Sequence, residues 1–364
     1  MSILIYDWGC GMKNHPLYKQ IQVDILGQIK AGKLRPGDRV PSEKELAELY
    51  RVSQITSKNA LIGLADEGVL VRVQGKGTFV RQEGESAQTM ENASQRGAIG
   101  LILPCMKTKV DQKILDSIEK YVTASGYSLH VRITRESQAE ESAAIEAMVN
   151  DGVRGLIIFP TEEERYNESI LRLSLDKFPH VLIDRFLKEI RTYSVSSDNM
   201  TGTEQAISYL LDNGHEHIAL ITPEITNTAT EERVVGFEKA YMARKLPIDK
   251  DLWCVLRIED ISGGNAQAII EAFLSERPAI TAAFVVNVEL TNYAYYAAKR
   301  MRKAVPDELE LVCFDRPDFQ DVSHLQQNED EMCKVTVELL HAQLQGEYDP
   351  RRIVVPVTFN NKRT

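Results

Sequence analysis

The sequence predicts an α/β protein in two parts: a small N-terminal α+β domain with a winged helix-turn-helix layout, and a larger body of two doubly wound subdomains. The first observation is residues 40–80, where two short helical patterns precede two short strands around a Gly-Lys-Gly turn. The second is an alternation of short apolar strands and helices from Gly97 onward, which is typical of parallel sheets covered on both faces. The third is a restart of that alternation after Ser196, which indicates two subdomains with a cleft at the carboxyl ends of their strands.

The charge of the chain is unevenly distributed. The 364 residues carry a formal net charge of −10, but residues 1–82 hold 12 Lys and Arg against 8 Asp and Glu, a net +4 that leaves −14 for the rest. A basic head suits contact with phosphates, and an acidic body adds no non-specific affinity for nucleic acid. The five cysteines are scattered, and no apolar run reaches the ~20 residues of a membrane-spanning helix. We therefore expect a cytoplasmic protein without membrane contact, disulfide framework, metal site or cofactor.

The N-terminal elements follow from capping residues and apolar spacing. Residues 1–15 lack periodicity and are expected to form a flexible tail, and Pro16 opens a first helix. Ser42 with Glu45 forms a capping box for the second helix, in which Leu46 and Leu49 are expected to face inward. Ser53 caps the third helix, and residues 69–73 and 78–80 pair as the wing. The DNA-binding domain is predicted over residues 16–82, followed by a linker over residues 83–96.

The segment PSEKELAELYRVSQITSKNALIGLADEGVL, with GKGTFV after it, resembles the GntR family of winged-helix regulators. The resemblance covers residues 16–82 and implies binding to double-stranded operator DNA. Lys44, Gln54 and Lys58 stand where the family commonly has arginines, and glutamine reads adenine edges more naturally than guanine. The predicted DNA-contacting residues are Ser42, Lys44, Ser53, Gln54, Ile55, Thr56, Lys58, Asn59, Gln74, Gly75, Lys76 and Gly77.

The larger domain is predicted over residues 97–364. We expect subdomain one at about 97–195 plus 328–355 and subdomain two at about 196–327 plus 356–364, with three chain crossings between them. The sequence predicts helices at residues 113–125, 139–151, 169–177, 202–213, 231–244, 264–275 and 291–301.

The stretches VRGLIIFP, VLIDR, SSDNMTGTEQAISYLLDNGHEHIALI, ERVVGFEKAY and LVCFDR are similar to the sugar-sensing domain of the LacI/GalR family, which shares its fold with periplasmic sugar-binding proteins. The resemblance implies a small sugar effector in the cleft and a homodimer formed through the amino-terminal subdomain, including residues 113–125. A GntR-like reader joined to such a sensor is the arrangement of the arabinose-repressor type of regulator, which makes arabinose the first candidate effector. The predicted effector-binding residues are Asp184, Arg233, Asn287, Asp315 and Gln327.

Three of these assignments have alternatives. Gln326 can take the place of Gln327 as the residue that matches the family. Asp184 can instead form a structural ion pair with Arg185, and Asn287 is followed by Val288 where the family usually has aspartate. Trp253 is a further candidate as a stacking surface for a sugar ring.

The sequence therefore predicts a DNA-binding transcription regulator, a repressor released by a sugar or sugar-derived effector, and not an enzyme. The alternatives are a GntR-type regulator that senses a non-sugar metabolite and an enzyme fused to a DNA-binding head. The sequence shows no nucleophile elbow, phosphate-binding loop or HExxH zinc motif that would favour an enzyme.

Overall fold

The computed structural model describes residues 16–73, 77–81, 97–161 and 167–362. They form an N-terminal domain with a two-stranded sheet and a larger domain with two six-stranded sheets. This is the predicted combination of a helix-turn-helix domain with a two-subdomain α/β domain. Within these residues no helix is both long and apolar enough to cross a membrane.

The N-terminal domain packs three helices against a short antiparallel hairpin. Its elements are α1 (Leu17–Lys30), α2 (Glu43–Tyr50), α3 (Gln54–Asp66), β1 (Leu70–Val73) and β2 (Gly77–Val80). The core joins Ile21 and Ile25 of α1 to Leu46, Leu61 and Leu64, all of them buried. The expected inward orientation of Leu49 is wrong, because its side chain is 67% exposed and the short helix α2 turns only one narrow face inward.

Subdomain one contains a parallel sheet with the strand order β13-β7-β6-β5-β3-β4. Its inner strands β5 and β6 are buried apolar runs, as expected for a sheet with helices on both faces. The elements are β3 (Ala98–Leu103), α4 (Lys109–Ala124), β4 (Ser128–Ile133), α5 (Gln138–Asn150), β5 (Gly155–Ile158), α6 (Glu168–Leu175), β6 (His180–Ile183), β7 (Ser194–Ser197), α12 (Glu329–Leu344) and β13 (Arg352–Val355).

Subdomain two repeats the same arrangement with the order β14-β12-β11-β10-β8-β9, in which β14 alone runs antiparallel to its neighbour. The chain passes between the subdomains after β7, after β12 and between β13 and β14, so three crossings form the hinge. The elements are α7 (Asn199–Asp212), β8 (Ile218–Pro223), α8 (Thr228–Ala243), β9 (Trp253–Leu256), α9 (Ile258–Ser262), α10 (Ala266–Glu276), β10 (Ala282–Val285), α11 (Val288–Arg300), β11 (Glu310–Phe314), β12 (Ser323–Gln326) and β14 (Thr358–Asn360).

Four helices begin three or four residues earlier than periodicity predicts: α4, α7, α8 and α11. A polar side chain caps each of them and accepts a hydrogen bond from a backbone N–H of the first turn, and the caps are Thr108, Asp198, Asn227 and Asn287. The apolar pattern starts only where the helix first touches the sheet, whereas the helix starts at its cap. Since these caps follow strand ends, the earlier starts bring the helix N-termini towards the cleft.

Candidate functional site

Several predicted DNA-contacting side chains also build the helix-turn-helix itself. Ser42 Oγ accepts from Glu45 N at 3.3 Å, and the Glu45 carboxylate accepts from Ser42 N at 2.7 Å, so the predicted capping box is present. Ser53 Oγ accepts from Thr56 N at 3.2 Å and shares a 2.9 Å hydrogen bond with Thr56 Oγ1. The Thr56 side chain is buried, so its expected contact with DNA is not available from the surface.

Ser57 fixes the packing of α3 against α2. Its hydroxyl is fully buried and donates to the Glu43 carbonyl at 2.6 Å, at the start of α2. This hydrogen bond offsets the cost of burying a hydroxyl in the core between the two helices.

The exposed part of the candidate DNA-binding face contains Lys44 and Gln54. Lys58 is half-buried, and its ammonium donates to the carbonyl of Asn150 in the larger domain, so contact with DNA requires that hydrogen bond to break. The Asn59 amide nitrogen is buried without a hydrogen-bond partner among the described residues. Gln74, Gly75 and Lys76 lie outside the described residues, as does the side chain of Ile55.

Two arginines that the sequence analysis did not single out line the same face. Arg39 and Arg72 are exposed and border a groove of about 490 Å³ together with Lys44, Gln54 and Gly77. Arg72 is ion-paired with Glu43, and Arg39 lies so close to Gly77 that a Cβ there would stand 3.0 Å from its Nε. Gly77 has a φ of 120°, so both its backbone and this contact favour glycine. Arg39 could have been recognised by its position just before PSE, at the base of the wing.

The second candidate site is the cleft between the two sheets. β6 and β11 occupy equivalent positions in the two strand orders, and each is followed by an aspartate: Asp184 after β6 and Asp315 after β11. Their backbones match, because Asp184 N donates to Val195 O and Asp315 N donates to Leu325 O, both at 2.8 Å. The two predicted carboxylates therefore stand at corresponding points of the two carboxyl edges.

Arg233 of α8 is the cation of this cleft. Its Nε donates to Asn199 Oδ1 at 2.9 Å and its Nη1 donates to the Val286 carbonyl at 2.7 Å. The guanidinium carbon lies 3.6 Å from the centre of the Phe314 ring, which holds the plane of the group. Arg233 is buried, and its nearest charged neighbours include Asp315 and Asp184.

Burial dominates the ionisation of this cluster. It raises the pKa of Asp315 to about 6 and also raises the pKa of Asp184, while Arg233 acts on both in the opposite direction. Burial also lowers the pKa of Arg233, against the attraction of the two carboxylates. Two acids and one guanidinium are thus held in a desolvated cluster, in which burial opposes the charged form of each group and the opposite charges partly offset it.

Gln327 and Asn287 use part of their side chains within the protein. Gln327 Nε2 donates to Asp315 Oδ1 at 2.7 Å, and its Oε1 accepts from Ser197 Oγ at the first chain crossing. Asn287 lies at the end of β10, where its Oδ1 accepts from Leu290 N at 2.8 Å and caps α11. A sugar contact from Asn287 would therefore come from its amide nitrogen.

Two sequence expectations about the cleft need correction. Trp253 begins β9 at the outer edge of the sheet, packs beside Phe237 and carries Lys250 over its ring, so it offers no surface to the cleft. Arg185 makes its direct contacts elsewhere, because its Nη1 donates to Pro160 O at 2.6 Å and lies 3.6 Å from Glu136. Burial raises the pKa of Asp184, and the charges of Arg233 and Arg185 both act against that effect, so Arg185 influences Asp184 without a direct ion pair. The aromatic ring beside the cluster is instead Phe314, whose position directly before Asp315 could have indicated it.

A cavity of about 300 Å³ opens between the subdomains, and sequence reasoning did not anticipate it, because none of the predicted effector-binding residues is among those that line it. It is lined from subdomain one by Glu141, Asn167 and Arg185 and from subdomain two by Thr226 and Glu231, among others. Burial raises the pKa of Glu141, which accepts from Thr161 N at 2.9 Å and from Asn167 Nδ2 at 2.7 Å. Across the part of the chain that the structure describes, no group of three or more His, Cys, Asp or Glu side chains is placed to hold a metal ion.

Comparison with known proteins matches the N-terminal domain and the second half of the larger domain to two different families. Residues 17–80 match the family described as bacterial regulatory proteins of the gntR family, and residues 207–364 match the periplasmic binding protein-like domain. An arabinose metabolism transcriptional repressor of Geobacillus stearothermophilus is 27% identical over 312 residues, covering 83% of each chain. One from Halalkalibacterium halodurans is 26% identical, covering 82% of this chain and 80% of the relative.

Among solved structures, the transcription regulator CcpA of Lactococcus lactis superimposes with a TM-score of 0.66 at 18% identity. The superposition covers 73% of this chain and 98% of that one. The larger domain therefore has the fold of this regulator.

Proposed function

We propose that this chain, which joins a GntR-type helix-turn-helix domain to a periplasmic-binding-protein-like domain, is a transcription repressor that a small neutral sugar releases from its operator. The observation that carries the proposal is the cleft cluster: Asp184, Arg233 and Asp315 converge between the two sheets, on a chain whose other domain has a DNA-reading layout. Relatives that match over most of the chain are named as repressors of arabinose metabolism, which makes arabinose the first sugar to test.

The chemistry of the cleft favours a neutral polyhydroxylated ligand. Carboxylates accept hydrogen bonds from sugar hydroxyls, and a guanidinium, here held on the buried Phe314 ring, donates to them. Asp184 and Asp315 oppose an anion, and Arg233 alone in this cluster favours one. A pentose or hexose without a phosphate group fits this balance of charge.

The proposed release mechanism is closure of the cleft about the three chain crossings. A sugar that bridges Asp184 of subdomain one and Arg233 with Asp315 of subdomain two binds the closed state better, and it shifts the population by that difference in affinity. Closure in a homodimer would change the spacing of the two DNA-binding domains and weaken binding to paired half-sites.

The test combines a thermal-shift screen of neutral sugars and sugar phosphates with operator binding measured by fluorescence anisotropy. A bound effector raises the unfolding temperature through RT ln(1 + [L]/Kd), and it should weaken operator binding. The Arg233→Lys variant keeps a charge between the aspartates but loses the planar donor pair, so it should lose the response to sugar while its sugar-free DNA affinity stays unchanged. Normal sugar binding by this variant, or a collapse of its sugar-free DNA affinity, would show that Arg233 has been misassigned.

A further inference from the structure

The first two turns of α8 touch subdomain one at three places. Phe186 N donates to Thr228 Oγ1 at 3.1 Å, Lys188 is ion-paired with Glu231, and Arg352 is ion-paired with Glu232. α8 belongs to subdomain two, whereas Phe186, Lys188 and Arg352 belong to subdomain one, so each contact crosses the cleft. Arg233, the proposed sugar-binding cation, is the next residue along the same helix.

Arg352 has the most constrained geometry of these contacts. Its guanidinium carbon lies 3.7 Å from the centre of the Phe186 ring, and its Nε and Nη2 donate to Ser196 Oγ at 3.2 and 2.9 Å. Nη2 also lies 2.8 Å from the Glu232 carboxylate. Ser196 and Arg352 sit on β7 and β13, next to two of the three chain crossings, so this arginine joins the hinge to α8.

Glu232 continues the connection into the proposed sugar site. Its carboxylate accepts from Asn199 Nδ2 at 3.3 Å, and Asn199 Oδ1 accepts from Arg233 Nε at 2.9 Å. Asn199 is almost fully buried and follows the cap of α7. An unbroken series of hydrogen bonds therefore runs from Arg352 through Glu232 and Asn199 to Arg233.

We propose that the Arg352–Glu232 pair is a cross-cleft latch that positions Arg233 and favours the closed sensor. This inference rests on the proposed function only for its effect on sugar binding. Closing the cleft brings Arg352 and Glu232 together, and the carboxylate then holds the Asn199 amide so that its oxygen faces Arg233. Opening the cleft removes the charge that orients Asn199, so the sugar-binding guanidinium loses a fixed partner. Glu232 and Arg352 act through Arg233 and are positioning residues.

The latch can be tested without any ligand, by hydrogen exchange of the Phe186 amide in the full-length protein. That amide donates across the cleft, so its protection reports closure. Glu232→Gln and Arg352→Gln should each speed its exchange roughly threefold, in keeping with a partly exposed ion pair. The double variant should exchange no faster than either single variant, because both changes break the same contact.

Glu238→Gln is the matched control. Glu238 lies on the same helix and is ion-paired with Lys250 inside subdomain two, so its loss should leave the Phe186 amide unchanged. Arg352→Lys keeps the charge opposite Glu232 but loses the two-point contact with Ser196, and it should give exchange between wild type and Arg352→Gln. Additive effects in the double variant, or wild-type protection in both single variants, would overturn the latch.

A second readout is calorimetry with L-arabinose as the probe. It compares wild type, Glu232→Gln, Arg352→Gln and the double variant. The two single variants and the double variant should bind it about threefold more weakly than wild type, in step with the exchange rates. If wild-type protein binds no sugar while the exchange pattern holds, the proposed effector is wrong and the latch stands. If sugar binds and its affinity does not follow the exchange rates, the coupling between the latch and Arg233 is refuted.

Discussion

Asp184 and Asp315 both adopt left-handed backbone conformations, with φ of 68° and 76°, at the ends of equivalent strands. Such conformations cost energy for residues other than glycine, although aspartate tolerates them better than most. Each side chain is also buried, which adds a desolvation cost. Backbone strain and buried charge together destabilise the folded protein. Their occurrence at two matched positions is typical of a binding site, where both features contribute to function. At the residue scale these two acids are the strongest structural indication of the cleft's role.

The Asp315→Asn substitution tests the electrostatics of this cluster. Burial raises the pKa of Asp315 from the ordinary 3.8 to about 6, so the native state binds this proton more tightly than the unfolded chain. The contribution of Asp315 to stability is therefore present at low pH and is lost as pH rises between those values. Relative to the Asn variant, the wild-type free energy of unfolding should fall on the order of 2–3 kcal/mol across that range.

Urea unfolding of both proteins at several pH values measures this difference. Asp212→Asn, at an exposed aspartate paired with Arg244, is the control and should show no comparable trend. A wild-type to Asp315→Asn difference that stays constant with pH would contradict the assignment.

Gln54 gives a prediction about DNA sequence. It is exposed at the first turn of α3, beside Lys44, and glutamine pairs with adenine N6 and N7 where arginine pairs with guanine. Gln54→Arg should shift the preferred half-site towards guanine at one position, by about 1–3 kcal/mol. Selection from a randomised library with both proteins measures the shift, and Lys76→Ala is the comparison because we expect it to weaken all sequences alike. Identical preferred sequences for wild type and Gln54→Arg would refute base contact by Gln54.

At the scale of elements, polar caps at strand ends arrange the cleft. α7 and α11 start at Asp198 and Asn287, directly after β7 and close after β10, and α12 starts at Asn328 after β12. Each cap satisfies a backbone N–H of the first turn and fixes where the helix leaves the sheet edge. The N-termini of these helices therefore meet around the buried acids of the cleft, where their partial positive charge favours ligand oxygens.

The capping box of α2 gives a prediction for the DNA-binding domain. Ser42→Ala removes the acceptor for Glu45 N and should destabilise α2 by about 1 kcal/mol, whereas Ser42→Asp keeps an acceptor and should cost less. Hydrogen exchange of α2 amides in the full-length protein measures the difference. If the α2 amides exchange at the same rate in Ser42→Ala and Ser42→Asp, the hydroxyl of Ser42 does not cap the helix. Contact with DNA would then be the reason for a serine at this position.

At the scale of the whole molecule, each sheet ends in an edge strand with exposed apolar side chains. β4 exposes Val131 and Ile133, and β9 exposes Val255, which is 50% accessible. The helix predicted to form the dimer surface, α4, packs beside β4. Exposed apolar edges are suited to pairing with a second copy, and a dimer is what a small DNA-reading head needs for useful specificity.

We therefore expect a homodimer that Val131→Asp, on the β4 edge beside α4, weakens, because a carboxylate would be buried against apolar side chains of the partner. Light scattering at micromolar concentration measures the mass. Leu175→Asp changes an equally apolar, 78% exposed residue on α6 and should leave the dimer intact. A wild-type monomer, or dissociation by both variants, would exclude this edge as the interface.

Features of this protein that depend on neighbouring residues could be predicted from the amino-acid sequence. The capping box at Ser42, the apolar strands of both sheets and the restart of the pattern after Ser196 all follow from neighbours a few residues apart. Asp184 and Asp315 could be marked as cleft residues because each directly follows an apolar strand, and parallel strands end at a common edge. The burial of Leu49 and the role of Trp253 were mispredicted because both depend on the side of an element that faces the core.

Contacts between residues that are distant in the chain could not be predicted and are seen only in the folded protein. Arg352 and Glu232 are 120 residues apart, and their ion pair depends on the second chain crossing, after β12, which returns the chain to subdomain one and to β13. The stacking of Arg233 on Phe314 and the shift in the pKa of Asp315 likewise arise from packing between separate elements. The burial of a side chain and the charges around it depend on all the residues that folding brings close to it. The order of residues in the sequence does not give the distances between them.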